Sequence, residues 1–133
     1  MIRVLVADDS QGWRNFHERM LSEISQEFEI TVCEWARDAY DEVFKNLKTP
    51  YDLIITDLQM ESDFLPQYAG EWLTERVREL SSYNKTPILM VSATYNIQKI
   101  ADDYGVECLP KSIAVNDLLA YKYKISELLK REF

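Results

Sequence analysis

A chain of 133 residues, 47% of them hydrophobic, is long enough for one compact domain with a hydrophobic core and short for two. Its 23 acidic and 15 basic side chains give a net charge of −8, which argues against direct binding to nucleic acid, because phosphate backbones are bound by basic surfaces. No apolar stretch approaches the roughly 20 residues of a membrane span, and the first residues lack the parts of a signal peptide. We therefore expect a cytoplasmic protein without membrane contact, with a single domain over residues 1–133 and no separate output domain.

Short apolar runs rich in Val, Ile and Leu alternate with longer segments of helical period. The runs predict strands at residues 2–7, 28–34, 52–57, 87–92 and 106–109. Apolar residues at helical spacing predict the helices: Trp13, Phe16, Met20 and Ile24; Ala36, Ala39, Tyr40, Val43, Phe44 and Leu47; Leu73, Val77 and Leu80; Ile97 to Tyr104, ended by Gly105; and Leu118, Tyr121, Ile125 and Leu128. Strands that are hydrophobic throughout, rather than alternating, indicate a parallel sheet buried on both faces. The pattern predicts a doubly wound α/β sandwich of five βα units.

Polar residues follow four of the predicted strands at the point where each ends. Asp8 and Asp9 follow the first strand, Asp57 ends the third, Ser92 ends the fourth, and Lys111 follows the fifth. In doubly wound sheets, ligands bind outside the carboxyl ends of the strands. The sequence therefore predicts one site that contains all five side chains.

This set of side chains suits a metal ion and a phosphoryl group. Neighbouring carboxylates repel one another in a cleft, and a hard divalent cation with oxygen ligands, Mg²⁺ rather than zinc, relieves that repulsion. Asp57 could then act as a nucleophile and form an aspartyl phosphate, while Lys111 and Ser92 donate to the phosphoryl oxygens. We predict this chemistry for the site.

Each residue also has a purely structural interpretation. Residues 8–10 could cap the first helix, because Asp and Ser are favoured at helix starts. Asp57 could be a turn residue, Ser92 a loop hydroxyl and Lys111 a solvated charge, and each of these is the commoner case for one residue alone. Their coincidence at four strand ends favours the functional interpretation.

The histidine and the cysteines are interpreted as structural residues. His17 lies on or beside the apolar stripe of the first helix, so we expect a partly buried or surface residue rather than a catalyst. Cys33 and Cys108 are isolated in apolar contexts, which favours reduced core thiols over a disulfide or a metal site.

The chain resembles the response-regulator receiver domain over essentially its whole length. The segments that carry the resemblance are Val6-Ala7-Asp8-Asp9-Ser10, Ile54-Ile55-Thr56-Asp57-Leu58-Gln59-Met60, Met90-Val91-Ser92-Ala93 and Leu109-Pro110-Lys111. The resemblance implies a flavodoxin-like (βα)5 fold with a parallel sheet of strand order 2-1-3-4-5.

The resemblance also implies a role for each site residue. Asp57 would be the phosphoacceptor, and it would bind Mg²⁺ together with Asp9 and the backbone carbonyl of Gln59. Asp8 would act on the metal mainly through water. Ser92 would be the switch hydroxyl, and Lys111 would bind the phosphate.

The implied function is signalling rather than dedicated enzymatic turnover. The phosphoryl donor would be a sensor histidine kinase or a histidine phosphotransfer protein, and the output would be altered binding to an unidentified downstream protein. A second apolar stripe of Val115, Leu119 and Tyr123 on the last helix is read first as a broad core face and second as a partner or homodimer surface.

The chain departs from the family pattern near the lysine and after the acceptor. Cys108 stands where the family usually has an aromatic residue, and Ser112 follows the lysine where proline is usual. The loop at residues 61–69 is longer than the family usually has. It is interpreted as a solvated insertion, a lid over the site or a partner contact. By resemblance, Gln59 and Thr94 influence access of water to the acyl phosphate.

The departures keep two other functions open. One is a receiver-like binding module that signals without phosphorylation, which the retained acids and lysine oppose. The other is a phosphotransfer hydrolase with an aspartyl-phosphate intermediate, which ranks last because Gln59 stands where such enzymes commonly carry a second acid.

Overall fold

A computed structural model of the chain describes residues 1–60 and 67–133. Its centre is a parallel sheet with the strand order 2-1-3-4-5. The strands are β1 (Ile2–Ala7), β2 (Phe28–Cys33), β3 (Leu53–Thr56), β4 (Ile88–Ser92) and β5 (Glu107–Pro110). The predicted fold class and strand order are confirmed, and the predicted strand bounds differ from the observed ones by no more than one residue at any end.

Helices cover both faces of the sheet. They are α1 (Gln11–Ile24), α2 (Ala36–Lys45), α3 (Ala69–Arg78), α4 (Ile97–Tyr104), α5 (Lys111–Asn116) and α6 (Leu118–Leu129), and a short 3-10 turn spans Ser81–Tyr83. Helix α4 ends as predicted at Gly105, whose φ of 66° is left-handed and favours glycine. Among the described residues, no helix is long and apolar enough to cross a membrane.

Two hydrophobic clusters lie on opposite faces of the sheet, because successive strand residues point to opposite sides. Leu5 and Ala7 of β1 face the cluster that α2, α3 and α4 cover. Val4 and Val6 face the cluster that α1, α5 and α6 cover. The three central strands β1, β3 and β4 are therefore buried on both faces, which accounts for their continuous hydrophobicity.

The last predicted helix is two helices. Asp117 interrupts it with φ −141° and ψ 87°, and the Asp117 side chain accepts a hydrogen bond from the Ala120 N–H (3.1 Å), so that it caps α6. Val115 consequently belongs to α5, whereas Leu119 and Tyr123 belong to α6. Interpreting these residues as a broad core face is wrong, because all are exposed: Val115 by 49%, Leu119 by 77% and Tyr123 by 68%.

Candidate functional site

The ends of β1 and β3 bring three carboxylates together. These strands are neighbours, with Ala7 paired to Thr56, and the Asp57 N–H donates to the Ala7 carbonyl (2.9 Å). Asp8, Asp9 and Asp57 each place a carboxylate oxygen within 4.8 Å of the others. Asp8 and Asp57 are buried and Asp9 is exposed, so the cluster opens to solvent on one side.

Lys111 completes the cluster from the far side of β4. It is the first residue of α5, directly after β5, and its Nζ lies 2.9 Å from Asp57 Oδ2 and 3.1 Å from Asp8 Oδ2. The contact with Asp57 is a hydrogen bond. Among the described residues, the buried Oδ2 of Asp8 has no hydrogen-bond partner of good geometry, and its contact with the ammonium is an ion pair. One lysine therefore faces three acids, and the site keeps an excess of negative charge.

Burial and like charge alter the ionisation of this cluster. Burial raises the pKa of Asp8, which the hydrogen bond from the Ser10 N–H opposes and the charge of Asp57 reinforces. Burial and the charge of Asp57 also raise the pKa of Asp9. Burial alone would lower the pKa of Lys111, but the contacts with Asp57 and Asp8 together outweigh burial and raise it. The ionised acids are thus costly without a further cation.

The main chain holds Asp57 in place. The Leu58 N–H donates to Asp57 Oδ1 (2.7 Å), and the Gly70 N–H at the start of α3 donates to the Leu58 carbonyl (3.0 Å). A Cβ on Gly70 would lie 2.2 Å from the Asp57 carbonyl oxygen and 2.8 Å from Leu58 Cα, so only glycine fits. This role of Gly70 was not predicted from the sequence. Its one signal was a glycine at the start of a predicted helix.

The first turn of α1 supports Asp8. Ser10 caps the helix by accepting from the Trp13 N–H (3.3 Å), and Arg14 Nη1 donates to the Asp8 carbonyl (2.8 Å). The capping interpretation therefore holds for Ser10, whereas Asp8 belongs to the carboxylate cluster.

Ser92 and Lys111 line the same cleft, of about 260 Å³, between the ends of β4 and β5. The Ser92 hydroxyl is buried and lies 3.0 Å from the Thr94 hydroxyl, and the Thr94 N–H donates to Ser92 Oγ (3.3 Å). Tyr95, at 97% exposure, stands at the rim. The structure thus places Ser92 at the predicted end of the sheet, with its hydroxyl turned to Thr94.

Gln59 is exposed two residues after Asp57, and its role as a carbonyl ligand stays a prediction. Of the enlarged loop at residues 61–69, the part at 61–66 lies outside the described residues. Tyr68 is the N-cap of α3, and its N–H donates to Glu71 Oε1 (3.1 Å).

Trp13 is a second residue that the sequence analysis missed, because its helical spacing assigned it to the core stripe. The centroid of its ring lies 4.7 Å from Lys111 Nζ. The ring is half-buried and packs edge-to-face on Phe16, with centroids 4.9 Å apart. Trp13 therefore contacts the core on one side and the site lysine on the other.

Cys33 and Cys108 are core residues, as predicted, but His17 is more deeply buried than predicted. Its Nδ1 lies 2.8 Å from the Tyr121 hydroxyl of α6, and burial together with the charge of Lys111 lowers its pKa to about 3. Cys33 and Cys108 are free and buried. The Cys108 thiol donates to Gln98 Oε1 of α4 (3.4 Å), where the resemblance would place an aromatic ring.

The carboxylate cluster fits Mg²⁺. The donors are hard oxygens, one buried carboxylate oxygen lacks a hydrogen-bond partner among the described residues, and the local charge is negative. Such donors suit Mg²⁺ rather than zinc, which prefers sulfur and nitrogen.

Comparisons with known proteins agree with this geometry. The family model of the response regulator receiver domain matches residues 4–122. No curated protein matches the chain. Among solved structures, chemotaxis protein CheY4 of Vibrio cholerae is 26% identical with a TM-score of 0.73, over 97% of this chain and 99% of that one.

Two further solved structures share the fold. Response regulator TrrA of Thermotoga maritima, in complex with Mg(2+)-BeF, is 23% identical with a TM-score of 0.76, over 97% of this chain and 100% of that one. The phosphorylated cyanobacterial phytochrome response regulator RcpA is 16% identical with a TM-score of 0.76, over 94% of this chain and 91% of that one. The match over most of the chain, together with the acidic pocket, decides the family: the chain belongs to the response regulator receiver domains of two-component systems.

Proposed function

We propose that this protein is a phosphoacceptor that takes a phosphoryl group on Asp57 from a partner histidine kinase or histidine phosphotransfer protein. The observation that carries the proposal is the cluster of three carboxylates with Lys111, whose Nζ lies 2.9 Å from Asp57 Oδ2. An excess of acid beside one fixed ammonium suits a site that gains a metal ion and a phosphoryl group together.

Asp57 is the nucleophile of the proposed reaction. A carboxylate oxygen of Asp57 forms a bond to phosphorus while the bond from phosphorus to the donor breaks, and the donor imidazole leaves with the bonding electrons. Asp57 is held for this attack by the Leu58 N–H on Oδ1, which leaves Oδ2 facing Lys111. The ammonium then passes from Asp57 Oδ2 to an oxygen of the incoming phosphoryl group.

Asp8, Asp9, Asp57 and the Gln59 carbonyl would hold Mg²⁺, directly or through water. When bound, Mg²⁺ neutralises the acids and the developing phosphoryl charge. Ser92, now paired with Thr94, would exchange that partner for a phosphoryl oxygen. Movement of Ser92 at the end of β4 would then change the neighbouring surface and the affinity for a protein partner.

The remaining expectations belong to the same proposal: a cytoplasmic domain that loses its phosphoryl group by self-catalysed hydrolysis and is not a dedicated enzyme. The exposed side chains of Leu119 and Tyr123 on α6 offer a surface for a protein partner or a homodimer.

Intact mass after incubation with acetyl phosphate and Mg²⁺ tests the proposal. The native chain should gain one phosphoryl adduct, and EDTA or Asp57→Asn should abolish it. Asp41→Asn is the matched control, because Asp41 is an exposed acid on α2 and its removal should leave the adduct unchanged. Labelling that survives Asp57→Asn would refute the assignment of the acceptor.

A second candidate is the binding module that works without phosphorylation. It is favoured by Lys111, which already contacts Asp8 and Asp57 and so neutralises part of the acidic charge without a metal. Absence of any adduct, under conditions where another receiver domain is labelled, would decide for this candidate.

A further inference from the structure

The contact between Trp13 and Lys111 joins a residue outside the acid cluster to the lysine inside it. The ammonium lies 4.7 Å from the ring centroid, within the range in which an aromatic face attracts a cation. Tryptophan is the strongest of the aromatic side chains in this respect.

We propose that Trp13 is a positioning residue for Lys111, and that its indole face holds the ammonium in the site while the carboxylates bind other ligands. The inference rests on the proposed phosphoryl transfer. It adds that the reaction needs an aromatic ring beside the lysine as well as the acids and the lysine themselves.

The partners of Lys111 explain why a third contact is needed. In the structure the ammonium lies against Asp57 Oδ2 and Asp8 Oδ2. These oxygens belong to the cluster that suits a divalent cation, and Asp57 is also the group that would be phosphorylated. A bound cation would weaken both ion pairs and repel the ammonium. The face of Trp13 carries no formal charge and binds neither metal nor phosphate, so that contact persists through the reaction.

The position of the ring is fixed by its surroundings. The backbone N–H of Trp13 donates to the hydroxyl of the N-cap Ser10. The ring packs edge-to-face on Phe16 at 4.9 Å and against His17 at 5.8 Å. His17 is tied to Tyr121 of α6 (2.8 Å). The ring is therefore packed against side chains that join α1 to α6, and these contacts keep it from following the lysine when the lysine moves.

A purely structural role for Trp13 would also make some substitutions harmful, so the test must change the ring's charge distribution and not its shape. Fluorination does this, because each fluorine weakens the negative face of the ring while the indole keeps nearly the same size. The chain contains three tryptophans, which would all be replaced. The same labelling of Trp13→Phe, which leaves only Trp35 and Trp72 to be fluorinated, is the control.

The measurement is the rate of Asp57 phosphorylation by acetyl phosphate at saturating Mg²⁺, for protein made with tryptophan, 5-fluorotryptophan and a difluorinated analogue. We expect the rate to fall with each fluorine and the control series to be flat. Trp13→Leu should lower the rate on the order of three- to thirty-fold, as loss of a cation–π contact implies, and Trp13→Phe should lower it less.

NMR of the Lys111 ε-methylene group, with and without Mg²⁺, gives a readout that does not depend on turnover. The ring current of Trp13 should shift these protons upfield in both states, and Trp13→Leu should remove the shift. A rate that ignores fluorination, or an upfield shift that Mg²⁺ abolishes, would overturn the inference while the phosphoacceptor function stands. A native chain that takes no phosphoryl group at all would overturn both.

Discussion

The two helical layers approach the site in different ways. On one face of the sheet, α1 reaches Lys111 with the large side chain of Trp13, whose ring centroid lies 4.7 Å from the ammonium. On the other face, α3 reaches Asp57 with bare backbone at Gly70, where a Cβ would lie 2.2 Å from the Asp57 carbonyl oxygen. The layer with α1 therefore contacts the charged group of Lys111, whereas the layer with α3 contacts the main chain of Asp57.

The difference matches what each residue would do in the proposed reaction. Asp57 needs a constant position for attack. Its carboxylate accepts a hydrogen bond from the Leu58 N–H and its own N–H donates to the Ala7 carbonyl, so it has little freedom. Lys111 has to exchange carboxylate partners for phosphoryl oxygens. A long side chain held by two ion pairs and an aromatic face can make that exchange without moving the backbone.

Gly70→Ala should have the largest effect, because it breaks the backbone contact. The added methyl group must displace α3 or the end of β3, and overpacking of this kind costs roughly 2–3 kcal/mol. We expect the free energy of unfolding in urea to fall by that amount. Phosphorylation of Asp57 should slow as well, because Asp57 itself moves.

Gly12→Ala is the matched control. Gly12 is an exposed residue in α1, and its added Cβ would meet only Ser10 Oγ, at an ordinary 3.7 Å. Alanine is a better helix former than glycine, so this change should raise stability by roughly 0.5–1 kcal/mol. Equal stability of the two variants would show that the close approach at Gly70 is relieved at no cost.

The packing of α1 against α6 can be tested by varying the pH, because it contains the buried His17. His17 has its pKa lowered to about 3 by burial and by the charge of Lys111, whereas an unfolded chain protonates histidine near 6.5. Below about pH 6.5 the unfolded state binds a proton that the folded state does not bind. The free energy of unfolding therefore decreases as the pH falls from about 6.5 towards 3. Between pH 6.5 and 5 this amounts to about 2 kcal/mol.

Urea unfolding of the native chain and of His17→Gln at pH 7 and pH 5 measures this contribution. His17 is the only histidine of the chain, so the acids should contribute equally in both proteins. The native chain should therefore lose about 2 kcal/mol more than the variant. Equal losses of stability in the two proteins would mean that the imidazole accepts a proton in the folded state. The packing of α1 against α6 behind Trp13 would then be less rigid than the contacts indicate.

The sequence could predict the sheet and most of the site, because both depend on local signals. Strands buried on both faces are hydrophobic throughout, and the side chains of the candidate site follow directly at strand ends, as with Asp57 after β3 and Lys111 after β5. The predicted strand bounds therefore agree closely with the observed ones, and Asp8, Asp9, Asp57 and Lys111 lie together in the structure.

The sequence could not predict contacts that depend on distance between helices and strands. Gly70 and Trp13 act on residues 13 and 98 positions away in the chain, Asp57 and Lys111, and no spacing rule relates such pairs. The break at Asp117 was different, because its signal was present. An aspartate before a run of helix formers is a favoured N-cap, but the apolar period running through it concealed the break.

The smallest effect is expected where side-chain hydrogen bonds join α3 to α4. The Tyr104 hydroxyl lies 2.9 Å from Glu71 Oε2 and 3.0 Å from Glu75 Oε1, and burial raises the pKa of Tyr104, so that the phenol stays protonated and donates. Tyr104→Phe removes this donor from two carboxylates. We expect a loss of about 0.5–1.5 kcal/mol in urea unfolding.

Phosphorylation of Asp57 should be unchanged in Tyr104→Phe, because the first turn of α3 would still be held by the close packing of Gly70 against Asp57 and Leu58. Tyr123→Phe is the control, since its ring is 68% exposed and its stability should stay within about 0.5 kcal/mol of the native value. A slower reaction in Tyr104→Phe alone would show that the surface link also sets the position of α3 at the acceptor. The backbone contact at Gly70 would then not be sufficient to hold Asp57.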